Sequence, residues 1–322
     1  MSRRITRRDL GRLVGAGALA GMASRAVSGG PVRRPGVVGL APLTAGPGGR
    51  LDPVAARTAM AGALVAATGE PTAERAAAAL FGPGDTVGIK VNCLAAPRLS
   101  PHPELVEALA ELIASAGVPP DRILVFERSE RELRKAGLPP GTHARFRSVG
   151  IERDWEARPA VSGSIGSCYA RIVSRRCTAL VSFGVVKDHD LAGVSAGLKN
   201  WYGVIHNPNK YHDDNCDPFV ADVVNHPWIR DKLRLTVLDG VLAQCHGGPA
   251  FRADATFDLG LVAASTDPVA ADAWAWKVIE AERKRRGMPG LEAEKRPPRF
   301  IATAASYGLG VGDPAKVREV RA

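Results

Sequence analysis

Lys187 and His189 stand two residues apart, and Lys199 follows about three helical turns later. A histidine moves protons near neutral pH, and buried or crowded lysines shift their own proton affinity. Held together, these three residues would make a cationic pocket able to bind a small anion and transfer protons. Lys187, His189 and Lys199 are therefore the candidate catalytic residues. A plainer alternative also fits: a solvated strand end on which Lys187 and His189 pair with Asp188 and Asp190.

Other polar residues follow apolar runs in the same way. Lys90 and Asn92 close residues 86–91, Glu127 closes 122–126, and Asp239 closes 235–238. Gly247 and Gly248 form a glycine loop shortly after. In a parallel sheet the carboxyl ends of strands meet at one edge, where ligands bind. Lys90, Asn92, Asp239, Gly247 and Gly248 are thus candidates for holding a ligand or cofactor, with Glu127 or Asp239 orienting His189. A polar stretch over residues 206–217 offers a different chemistry. His206, His212 and Cys216, with Asp213, Asp214 and Asp217 nearby, supply the nitrogen, sulfur and oxygen donors of a metal ion. Cys216 lies four residues after His212 and would share its face on a helix. The competing reading is a hydrated loop over the site.

The elements that must position these groups alternate between strand and helix. Residues 179–186 are rich in β-branched and apolar types and read as a buried central strand. Residues 86–91 and 122–126 read as strands joined by an amphipathic helix carrying Leu105, Leu109, Leu112 and Ile113, a right-handed crossover unit. Asp52 before Pro53 and Asp267 before Pro268 predict two further helix starts. A helix is expected from Pro218 to about Arg230 and another over residues 300–307. The fold class that follows is α/β, a mostly parallel sheet flanked by helices, with lobes over 36–160 and 161–322.

The chain has 322 residues, enough for this core, and a net charge of +10. Half of that excess sits in residues 1–26, which hold six arginines and one acid. Thr6, Arg7, Arg8, Asp9 and Leu10 fit a twin-arginine export pattern, although Gly11 stands where a second apolar residue is preferred. The apolar run over 13–23 is too short for a normal membrane span, and Ser24-Arg25-Ala26 suits cleavage. We expect a signal peptide over 1–26, a linker over 27–35, and a periplasmic or extracellular protein. It would meet the twin-arginine machinery and keep no stable membrane span after cleavage. The remaining charge is scattered, so no nucleic-acid partner is expected. The five cysteines include no C-x-x-C pair, so no ferredoxin-type cluster is expected, although a metal ion remains open. Cys168 and Cys177 can form a disulfide in an oxidising compartment.

The order of landmarks resembles the prokaryotic family known as domain of unknown function 362. The resemblance spans roughly residues 85–309. It rests on Lys90 and Asn92 in IKVN, on His102 to Val106, on Lys187 with His189, and on Gly193 to Gly203. It continues through Asp239-Gly240, Gly247 to Pro249, and residues 264–270 with Asp272. It implies an α/β fold without a settled activity, and it adds Asn200 to the candidate binding residues. Many members of the family carry a ferredoxin-like cysteine module, which this chain lacks.

Overall fold

The computed structural model describes residues 30–322; the export signal expected over 1–26 and residues 27–29 lie outside them. Residues Pro31–Ala322 form a single compact unit. Twelve strands are present: β1 Val37–Pro42, β2 Val87–Val91, β3 Ile123–Glu127, β4 Gly141–Thr142, β5 Arg147–Gly150, β6 Ala160–Ser162, β7 Ile165–Ser167, β8 Ala179–His189, β9 Gly193–Ser195, β10 Leu233–Gln244, β11 Thr256–Ser265 and β12 Arg318–Arg321. Eight α-helices accompany them: α1 Pro53–Thr68, α2 Ala73–Ala78, α3 Pro103–Ser115, α4 Glu130–Lys135, α5 Phe219–Asn225, α6 Pro227–Arg230, α7 Pro268–Arg285 and α8 Phe300–Ser306.

Ten strands make one sheet in the order β12-β1-β11-β10-β8-β2-β3-β5-β4, with β9 added to β8. Its centre, β10-β8-β2-β3-β5, is parallel throughout. β11 is antiparallel to both of its neighbours, and β4 is antiparallel to β5. The segments before and after residue 160 share this sheet, because β8 lies between β2 and β10. β6 and β7 form a separate hairpin.

Every residue of β8 is buried. Its side chains alternate between two apolar layers, as strand geometry requires. Val181 and Phe183 join Ile89, Val237, Met60, Leu64, Leu105 and Leu109 in the layer of α1 and α3. Leu180 and Val186 join Leu238, Trp201, Trp274 and Phe300 in the layer of α7 and α8. The strand is continuous to His189, so the polar trio Lys187, Asp188 and His189 belongs to it rather than to a solvated end.

The helix starts follow their caps. Asp52 accepts from the Ala55 N–H, and Asp267 accepts from those of Val269 and Ala270; each such cap contributes about 1 kcal/mol. The helix expected from Pro218 to Arg230 is interrupted, since Pro227 cannot continue α5 and instead opens α6. After β9 the chain turns through a 3₁₀ segment, Lys199–Val204. Residues 31–35, expected as linker, are docked: Arg33 donates to the Leu233 carbonyl and Arg34 to that of Ala66. Cys168 and Cys177 are both free thiols.

Candidate functional site

The site lies where β2, β3 and β8 end. Buried strands carry their last polar residues to this edge, and the 3₁₀ turn Lys199–Val204 crosses it. Asp272 of α7 sets that turn in place: its Oδ1 accepts the N–H groups of Gly197 (2.7 Å) and Leu198 (3.0 Å). Full burial pushes this carboxyl up to about 7, against those two hydrogen bonds. Gly203 then passes so close to Lys90 that a Cβ there would stand 2.6 Å from Lys90 Cε. Only glycine lets the backbone and the lysine stem share that space.

A cleft of about 410 Å³ results. Lys90, Asn92, Glu127, Arg128, Glu132, His189, Lys199, Asn200, Tyr202 and His212 are among the residues that line it. At one end Lys90 Nζ donates to Glu127 Oε1 (2.7 Å), Val91 O (2.6 Å) and Asn200 Oδ1 (3.1 Å). Glu127 Oε2 accepts the Cys93 N–H, and the Asn200 amide donates to Lys90 O and Ser182 Oγ. Lys90 is therefore a satisfied ion pair that props this wall.

Lys187 is wholly buried and is not among the lining residues. Its Nζ donates to Asn92 Oδ1 (3.2 Å), and Asn92 itself lines the cleft. Burial pushes Lys187 down to about 8, against the nearby charge of Glu127. Lys187 is a charge beneath the floor, with Asn92 between it and any ligand.

The other end of the cleft holds Lys199 and two histidines. Lys199 Nζ is 3.1 Å from His212 Nε2 and 4.2 Å from the Tyr202 ring centre. Burial pushes it down to about 8, the thiol of Cys216 opposing. His212 Nδ1 faces the Pro208 carbonyl at 3.0 Å. A carbonyl can only accept, so Nδ1 carries the hydrogen and Nε2 offers its lone pair to Lys199. His189 has the opposite tautomer. Its Nδ1 accepts the N–H groups of Leu191 (3.2 Å) and Ala192 (3.4 Å), which leaves the hydrogen on Nε2. The two rings stack with centres 5.7 Å apart.

Burial, then the charges of Lys199, His212, Lys187 and Arg296, push His189 down to about 2. The ring is thus neutral, and the approach of Asp190 Oδ1 to Nδ1 (3.2 Å) is not an ion pair. Burial and Lys199 lower His212 as well. The cleft therefore holds one imidazole fixed as an N–H donor and one fixed as a base. Neither Glu127 nor Asp239 orients His189; the backbone of its own strand end does.

Asp239 stands elsewhere. It accepts the backbone N–H groups of His102 (2.9 Å) and Val241 (3.0 Å), and its Oδ2 meets His102 Nδ1 at 2.6 Å. This pair borders a second cleft of about 710 Å³, lined among others by Arg50, Arg98, Ser100, His102 and Glu104. Gly248 donates its N–H to Asp188 Oδ1, and a Cβ there would fall 1.9 Å from Asp188 O. The Gly247–Gly248 turn is therefore a backbone packing device against β8, and Pro249 after it lines the first cleft. Asp188 itself pairs with Arg296, which also donates to His189 O.

His206, His212 and Cys216 do not converge. His206 is exposed and packs edge-on to Trp155, while Cys216 is buried beside Lys199 and Tyr202. Among the described residues, no group of three or more His, Cys, Asp or Glu side chains is arranged to hold a metal ion. Among the described residues, too, no helix is long and apolar enough to cross a membrane.

Arg128, Glu132, Tyr202 and Arg296 were not legible as site residues from local pattern. Arg128 and Glu132 follow Glu127, so proximity to a strand end was their only available signal. Arg296 lies in a loop 108 residues from its partner and gave none.

No curated protein matches this sequence. A crystal structure of a Thermotoga maritima protein from a structural genomics consortium aligns with 66% of this chain at 10% identity and a TM-score of 0.38. The chain spans 58% of that protein's length, and the likeness is too slight to bear on the site. Residues 87–277, more than half of the chain, match a family model that covers all the strand ends of the first cleft. The chain belongs to the family described as Domain of unknown function (DUF362).

Proposed function

We propose that this protein is exported by the twin-arginine route and binds a small anion in the Lys/His cleft, where it performs proton-transfer chemistry. The observation that carries the reading is a charge imbalance in a formed cavity. Lys90, Arg128 and Lys199 line it and Lys187 underlies it, against Glu127 and Glu132. Glu127 is committed to Lys90, and burial, then Glu127, raise Glu132 towards its neutral form. Lys199 meets a histidine and an aromatic face in place of a carboxylate. A buried cation without a counter-ion favours a ligand that supplies one. His212 as base and His189 as N–H donor equip the same cleft for moving a proton.

The test is calorimetric and thermal-shift titration with acetate and with phosphate. Wild type should bind at least one of them. Lys199→Met should weaken that binding by about tenfold or more, consistent with losing one charge-assisted hydrogen bond, at an unchanged melting temperature. No binding of either anion, or wild-type affinity in Lys199→Met, would overturn the reading. Export is tested separately by Arg7→Lys with Arg8→Lys, which should retain the chain in the cytoplasm.

A further inference from the structure

We infer that Lys199 is a nucleophile that forms an imine with a small carbonyl compound bearing a carboxylate. This names the substrate class of the cleft just described and rests on that anion reading.

Three lysines meet this cleft, and the geometry separates them. Lys90 is locked by Glu127, a carbonyl and an amide. Lys187 is sealed beneath Asn92. Lys199 lines the cavity, and its hydrogen-bond partner there is a base. The Pro208 carbonyl holds His212 in the tautomer that turns a lone pair towards Lys199 Nζ. An ammonium N–H directed at an imidazole lone pair is the arrangement that generates a free amine. The Tyr202 ring beneath Nζ shields one side of the amine from water. Desolvation supports the same conclusion: with Lys199 lowered to about 8, about a tenth of it is free amine at neutral pH.

The chemistry balances without any further reactant. His212 Nε2 takes a proton from Lys199, and the nitrogen lone pair attacks the carbonyl carbon. The C=O π pair moves to oxygen, which receives that proton from His212, and His212 then takes a second proton from nitrogen. The resulting carbinolamine receives this second proton on its hydroxyl and loses it as water while the nitrogen lone pair forms C=N, leaving a protonated imine and a neutral His212. Nothing is oxidised or reduced; one carbonyl and one amine become one imine and one water. His189, held neutral with its hydrogen on Nε2, lines the same cavity and can donate to the carbonyl oxygen as charge develops there. Arg128 and the underlying Lys187 favour the carboxylate of the same molecule.

The experiment is reductive trapping on the intact protein. Glyoxylate and sodium cyanoborohydride are added at neutral pH, and lysine-containing peptides are mapped by mass. The expected result is a carboxymethyl mark on Lys199 that forms about tenfold or more faster than on solvent-facing Lys316, as for an activated amine. In His212→Gln the mark should form more slowly, with its pH profile displaced towards alkali. Labelling of Lys199 no faster than Lys316 would overturn the inference, and because this is read on wild type it does not depend on a variant folding. Acetate, a carboxylate without a carbonyl, separates the two readings. If acetate or phosphate stabilises the protein but Lys199 is not trapped, the imine falls and the anion cleft stands; if neither anion binds and Lys199 is not trapped, both fall.

Discussion

His189 and His212 in the first cleft, and His102 in the second, are half-buried or buried imidazoles at the same sheet edge. The 92–102 segment contributes to both, with Asn92 and Leu94 in one and Arg98, Ser100 and His102 in the other. Their electrical surroundings are opposed. Around His189, burial and four neighbouring basic groups oppose protonation. At His102, burial also opposes it, but the hydrogen bond and charge of Asp239, with Glu104 and the Gly49 backbone, outweigh that and raise its proton affinity. In one cleft Lys199 lacks a carboxylate partner and the histidines are neutral. In the other, Asp239 supplies the histidine's counter-ion. A ligand anion is called for beside Lys199, where the protein has not supplied one, and not beside His102.

Breaking the internal ion pair should have the largest effect. Asp239→Ala strands the His102 ring and two backbone N–H groups, and denaturant unfolding should show a loss of about 3–5 kcal/mol. A stability close to wild type would mean that the two clefts do not differ as described.

Acid should destabilise the protein through His189. Its folded pKa lies below the unfolded 6.5, so the unfolded chain binds the extra proton as pH falls below 6.5. Stability should drop there by up to about 1.4 kcal/mol per pH unit from this residue, and His189→Gln should remove that part of the slope.

His102 has the opposite sign. Its folded pKa is raised, so its contribution is complete below 6.5 and is lost as pH rises through the folded value. Imidazole NMR should show His102 titrating above 6.5 while His189 stays neutral; a shared midpoint would erase the contrast.

The lysines give the alkaline counterpart of His189. Lys187 and Lys199 fall from 10.5 to about 8, so stability should rise with pH between those values as the unfolded chain retains the protons longer. Lys187→Met should flatten the rise without lowering stability, since a Met side chain carries no buried charge. A lower melting temperature would assign Lys187 a structural bond that Asn92 alone does not account for.

Much of the framework was readable from local chemistry. The run ending at Lys187, the Asp-Pro caps of α1 and α7, and the crossover joining β2 to β3 all follow from side-chain type and spacing. The gathering of Lys90, Asn92 and His189 was readable too, because parallel strands bring their carboxyl ends together, whereas Lys199 and Asn200 reach the cleft from the 3₁₀ turn. The partners of those groups were not readable. Asp239 was expected beside His189 yet holds His102, and Asp188 takes Arg296 from a distant loop. Strand-end position specifies an edge but not which neighbour a side chain turns to along it.

The amino-acid sequence by itself determined the elements, their caps, the buried central strand and the identity of the polar groups at its end. Each depends on interactions within a few residues. Only the tertiary structure decided which lysine is paired, which is sealed and which lines the cleft with a base beside it. It also decided the tautomers of His189 and His212. Those properties depend on desolvation and on charges brought close by folding, and neither exists for a residue until the sheet, α7 and the 206–217 loop have closed around it.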